Sequence, residues 1–134
     1  MTKKEAVQIL AILKAAYPAS YNNMTKEEAS GTVAVWTMQF ADMPVDIVMM
    51  AIHKLISTSK FPPTVAEVKR KIETIHWEAY ETLENHNRMP FLSDEAKAQY
   101  KRIYDLTTDY KMGKWYEPNI RQMLPGTQYL LGEQ

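Results

Sequence analysis

The sequence predicts an all-α protein: a small N-terminal helical bundle with a long fourth helix, followed by a fifth helix and an irregular C-terminal tail. Two observations lead there. Apolar residues recur at the helical period through five consecutive segments. Three of those segments contain a Thr-x-x-Glu capping box near their start, in which hydroxyl and carboxylate satisfy each other's exposed amides. The expected division is 1–88 for the bundle and 89–134 for the added helix and partner-binding tail.

The first segment runs from Thr2 to about Tyr17. Thr2 and Glu5 form its capping box, and Ala6, Ile9, Leu10, Leu13 and Tyr17 follow at helical spacing. Pro18 stops the pattern, because it lacks a donor and crowds the preceding turn. The second segment starts with the pair Thr25 and Glu28 and ends near Ala41, with Ala29, Val33, Trp36, Met38 and Phe40 as its apolar face. Gly31 inside it costs about 1 kcal/mol relative to Ala, so close approach of a neighbouring helix is its expected use.

The third segment begins around Pro44, suited to a first helical position where its missing N–H would be unpaired anyway. Val45, Val48, Met49, Ile52, Leu55 and Ile56 mark its buried stripe, before Ser57, Thr58 and Ser59 weaken it. Phe61-Pro62-Pro63-Thr64 is a rigid lead-in to the fourth segment, capped by Thr64 and Glu67. Val65, Val68, Ile72, Ile75, Ala79 and Leu83 carry the period to about Asn87, and Arg88-Met89-Pro90 ends it. Ser93 and Asp94 start the fifth segment, which runs to about Lys111 with Ala96, Tyr100, Ile103, Tyr104 and Leu106 on its apolar side. Gly113 is the expected stop. Beyond it the periodicity fails among Pro118, Pro125, Gly126 and Gly132.

Composition narrows the function classes. The 134 residues make about one domain's worth of chain. Sixteen Lys plus Arg balance sixteen Asp plus Glu, and the balance holds on both sides of Arg88. Duplex binding needs a clustered positive field, which this chain lacks in bulk. Cysteine is absent, which removes disulfides, thiolate metal sites and cysteine nucleophiles together. The four glycines fit neither GxxxxGK[ST] nor GxGxxG, so neither phosphate-cradling loop is present. The opening reads as an amphipathic helix rather than an apolar signal core, which leads us to expect an intracellular protein.

Candidate chemistry is sparse. Glu73-x-x-His76 is half of a carboxylate di-metal pattern, but His53 and His86 supply no second copy, so a solvent-facing pair is expected. None of the three histidines sits in a recognisable nucleophile motif. Lys69-Arg70-Lys71 is the densest basic run, yet successive helical residues point about 100° apart and form no stripe. With Lys60 or Trp77 it leaves a single-stranded DNA contact as the rival function. Met38, Met49 and Met50 read as gap-fillers in the core. The apolar tail either folds back over the bundle or orders on a partner.

Several stretches resemble one family. They are Thr2-Lys3-Lys4-Glu5-Ala6 with Leu10-Ala11-Ile12-Leu13-Lys14-Ala15-Ala16-Tyr17-Pro18, then Met24-Thr25-Lys26-Glu27-Glu28-Ala29 and Trp36-Thr37-Met38-Gln39-Phe40-Ala41-Asp42. The sharpest is Ala51-Ile52-His53-Lys54-Leu55-Ile56-Ser57-Thr58-Ser59-Lys60-Phe61-Pro62-Pro63-Thr64-Val65-Ala66-Glu67-Val68-Lys69. Together, over about residues 2–75, they resemble the phage replicative helicase loader/inhibitor family of phages that infect Gram-positive bacteria. The resemblance implies a compact N-terminal helical domain and a C-terminal part that engages the helicase. It further implies binding to a hexameric DnaB-type helicase in its ATP-bound form, restraint of its ATPase and unwinding, and delivery to an origin-bound initiator. A non-enzymatic adaptor without cofactor or metal, in the cytoplasm of the bacterial host, is the corresponding expectation. The alternative is a small nucleic-acid-binding phage replication or regulatory protein.

The helicase contact is expected at Trp115, Tyr116, Ile120, Met123 and Leu124. These are large apolar residues with no periodicity to bury them in a regular element. Aromatic anchors in desolvated contacts commonly carry much of a binding energy, about 2 kcal/mol or more each. The resemblance also places helicase engagement C-terminally.

Overall fold

The computed structural model describes residues 1–108, all in helices and short connections, with no strand among the described residues. The helices are α1 (Lys3–Ala16), α2 (Pro18–Tyr21), α3 (Lys26–Gln39), α4 (Val45–Ile56), α5 (Val65–Arg88) and α6 (Asp94–Thr107). The all-α expectation holds. The chain divides into two compact units, Met1–Ile75 and a second that begins at His76, so that α5 contributes to both.

The three capping boxes form as the sequence requires. At α1, Thr2 N–H donates to the Glu5 carboxylate (2.8 Å) and Glu5 N–H donates to the Thr2 hydroxyl (3.2 Å). Thr25 and Glu28 make the same exchange at α3 (3.0 and 3.1 Å), and Thr64 and Glu67 at α5 (2.9 and 3.1 Å). Each box satisfies two amides that an isolated helix start leaves unpaired. The other end of α3 is closed by the Met1 ammonium, which donates to the carbonyls of Phe40 (3.1 Å) and Met43 (2.8 Å). A cation there also complements the negative pole of the helix.

The core of the first unit draws on α1, α3, α4 and α5. It comprises Ala6, Ile9, Leu10 and Leu13 of α1, Val33 and Trp36 of α3, and Ile47, Val48, Ala51 and Ile52 of α4. Val68, Ile72 and Ile75 of α5 join them, with Phe40 and Met43 from the α3–α4 connection, both at 0% exposure. Trp36 and Phe40 are one turn apart, with ring centroids 5.5 Å from each other. Fully burying side chains of this size contributes about 1.5–3 kcal/mol each. The Tyr17 hydroxyl, at the end of α1, donates to the Ser59 carbonyl (2.9 Å) and ties α1 to the lead-in of α5.

Three local expectations need correction, and a fourth holds with an addition. Pro18 ends α1 but also opens the single-turn α2, where its fixed φ suits a first helical position. Pro44 is the residue before α4 rather than its first, with ψ of 142°. Gly31 makes no close helix approach: it is exposed, and a Cβ there would meet nothing within 4 Å. Met38 is 72% exposed, while Met43 is the methionine that fills the core. Two residues along a helix is about a 200° turn, so Met38 cannot share the buried face of Trp36. Met49 and Met50 are half-buried.

In the second unit the later turns of α5 bury His76 and Ala79, and α6 buries Thr107. The Ser93 hydroxyl caps α6 by accepting from Ala96 N–H (3.1 Å). His86 Nδ1 accepts from the backbone N–H groups of Phe91 (3.2 Å) and Leu92 (3.1 Å), which fixes the α5–α6 turn.

Candidate partner-binding surfaces

The five tail residues Trp115, Tyr116, Ile120, Met123 and Leu124 lie outside the described residues, as does Gly113. The other residues singled out by sequence can be placed. Glu73 and His76 share one helix but not one environment. Glu73 is half-buried, whereas His76 is 2% exposed, which corrects the solvent-facing expectation. No group of three His, Asp or Glu among the described residues is arranged to hold a metal ion. His53 is exposed on α4 and His86 is engaged at the α5–α6 turn.

The Lys69-Arg70-Lys71 run splays as its spacing requires. Lys69 is half-buried and its Nζ donates to Gln39 Oε1 (2.6 Å), while Arg70 is exposed. Burial lowers the Lys69 pKa, since a charged ammonium is less well solvated there. One member of the run is therefore spent on packing α5 against α3.

Two surface features escape a reading of the sequence for sites. The first is an open groove of about 390 Å³ between α1 and α3, lined by Lys3, Val7, Leu10, Ala11, Lys14, Ala29, Ser30 and Val33. A second, closely packed site on the same pair of helices is lined by Ala6, Ile9, Leu10 and Leu13 of α1 and by Thr32, Val33 and Trp36 of α3. Leu10 and Val33 line both, so the groove opens onto the packed α1–α3 seam. Val7 is 50% exposed on its wall. A sequence signal is present all the same: Val7 and Ala11 are an i, i+4 apolar pair beside the core stripe.

The second feature is an aromatic cluster in the second unit. The His76 ring stacks on Tyr104 at 4.9 Å and meets the edge of Trp77 at 4.7 Å. Tyr80 packs against both Trp77 and Tyr104 at 5.9 Å. Thr107 holds His76 from the other helix, with Nδ1 and Oγ1 2.9 Å apart. The Thr107 hydroxyl donates to the backbone carbonyls of its own helix, Ile103 (2.7 Å) and Tyr104 (3.2 Å), which leaves its oxygen to accept from His76 in the Nδ1–H tautomer. Trp77 and Tyr80 leave about 40% of their surfaces to solvent.

Among the described residues, no nucleophile, base and oxyanion site come together in one of these features. No helix of the described residues is long and apolar enough to cross a membrane. Comparison with known proteins found no match among curated proteins or solved structures. A family model for the N-terminal domain of phage helicase loader/inhibitor proteins matches residues 1–69, which spans α1 to α4, the Phe61-Pro62-Pro63-Thr64 lead-in and the first turn of α5. That match covers just over half of the chain and all of the first unit except its last six residues, and the chain belongs to the phage helicase loader/inhibitor family.

Proposed function

We propose that this protein is a phage DNA-replication adaptor that binds the hexameric DnaB-type replicative helicase in its ATP-bound form. It restrains the ATPase and unwinding of the helicase, then delivers it to the origin-bound initiator. The observation that carries the reading is the family match over residues 1–69. Two features agree with a role that acts through contact rather than catalysis: the chain has no phosphate-cradling glycine loop, and its exposed apolar surface includes Val7, Phe61 and Trp77. In this reading the helicase contact is centred on Trp115, Tyr116, Ile120, Met123 and Leu124.

The test is an ATPase and unwinding assay on the replicative helicase of the phage or its host, with this protein titrated in. Both rates should fall to a plateau as the protein saturates the hexamer, and recover when the origin-bound initiator is added. Rates that stay unchanged at saturating protein, together with salt-sensitive binding to single-stranded DNA, would instead support the nucleic-acid-binding alternative.

A further inference from the structure

We infer that the α1–α3 groove of the first unit is a docking site for an acidic amphipathic helix of a protein partner. This inference goes beyond the helicase reading and does not depend on which protein bears that helix. The floor and walls are apolar and mostly small: Val7, Leu10, Ala11, Ala29 and Val33. Small residues on a groove floor let a third helix backbone approach closely, and Val7 stays half-exposed until something covers it.

Charge selects the occupant. Lys3 and Lys14 line the groove and are eleven residues apart on α1, about 16 Å at roughly 1.5 Å per residue. Lys26 stands one turn before Ala29 and Ser30 on the same strip of α3, which adds a third cation. No carboxylate lines the groove, and two of those near it are directed elsewhere. Glu5 and Glu28 are turned back onto the N–H groups of Thr2 and Thr25. Glu27 is one turn before Ser30 on α3 but does not itself line the groove, whose charged lining residues are Lys3 and Lys14. A groove with an apolar floor and cations about three helical turns apart fits a three-turn helix with apolar residues along one face and carboxylates at both ends. The same cations without aromatic side chains in the groove give bases no stacking surface, which disfavours a single-stranded nucleic acid.

The probe is a synthetic helix-forming peptide of about fourteen residues, with an Ala/Leu face and Glu residues eleven apart, titrated into the full chain and followed by NMR. Shifts should cluster at Val7, Ala11, Ala29 and Val33. The double variant Lys3→Glu/Lys14→Glu should bind the peptide at least about tenfold more weakly and prefer the version with Lys at both ends. Both lysines are exposed, so circular dichroism of this variant should be unchanged. In a second variant, Ala11→Trp, the groove is filled and the shifts should disappear. Absence of groove shifts at millimolar peptide would overturn the inference, as would equal affinity in the charge-reversed variant. So would a concentration-dependent dimer that buries the same residues, or an oligonucleotide that competes for them.

Discussion

His76 and Thr107 are thirty-one residues apart in sequence and 2.9 Å apart in space, joined by a buried hydrogen bond between the imidazole Nδ1 and the threonine hydroxyl. The bond links α5 to α6 and holds the imidazole flat against Tyr104. Thr107→Val keeps the shape and removes the hydroxyl that bonds to Nδ1. The expected cost is about 1–3 kcal/mol, with faster amide exchange along α6. Thr107→Ser should restore most of the protection. Equal exchange in all three proteins would show that the bond does not hold the unit together.

Gly31 should be replaceable with profit. It occupies an exposed position within α3, and a Cβ there meets nothing within 4 Å. Gly31→Ala is expected to raise stability by about 1 kcal/mol through helix propensity. Chemical denaturation should show a higher midpoint with an unchanged slope.

The two methionines flanking the end of α3 should respond in opposite ways. Met43 is fully buried and Met38 is 72% exposed. Met43→Ala should cost about 2–5 kcal/mol, since it opens a cavity in the core. Met38→Ala should change stability by less than about 0.5 kcal/mol. Thermal unfolding of the pair separates them directly.

Glu28 should titrate below the usual carboxylate range. The N–H and hydroxyl of Thr25, in that order, favour its charged form. A folded-state pKa below the unfolded value means that the cap contributes stability at neutral pH. That contribution is lost as pH falls through the depressed value. An NMR titration of the Glu28 carboxyl carbon should show a midpoint under that of a free Glu. A midpoint at the ordinary value would contradict the cap.

What can be read from the sequence is local. The capping boxes are legible because Thr and Glu three residues apart carry their own geometry. The long α5 is legible because its apolar period runs unbroken from Val65 to Leu83. What depends on distant neighbours is not. His76 resembles a surface residue in sequence because Thr107 and Tyr104, which bury and stack on it, belong to a different helix. Helix α3 carries apolar residues on both sides, with Val33 and Trp36 inward and Val35 and Met38 outward. Spacing alone does not say which side meets the core. Pro18 reads as a stop, yet the same ring that ends one helix is also suited to begin the next. The groove is hidden because it is made by two helices, and only the α1 half of it shows in a single stretch of sequence.

The tail contact predicts a separation of stability from binding. Truncation after Lys111 removes Trp115, Tyr116, Ile120, Met123 and Leu124. If these residues engage the helicase, the shortened chain should keep its melting temperature and lose helicase binding. If they cover the rest of the chain instead, truncation should lower the melting temperature. Full helicase affinity in an equally stable truncated chain would move the contact to the first unit.

The most direct test of the adaptor role is size-exclusion co-elution of the full chain with its hexameric replicative helicase, with ATP and without nucleotide. The account predicts a stable complex with ATP and little or none in its absence. A helicase hexamer that elutes alone in both conditions, at concentrations well above those of a micromolar complex, would contradict it.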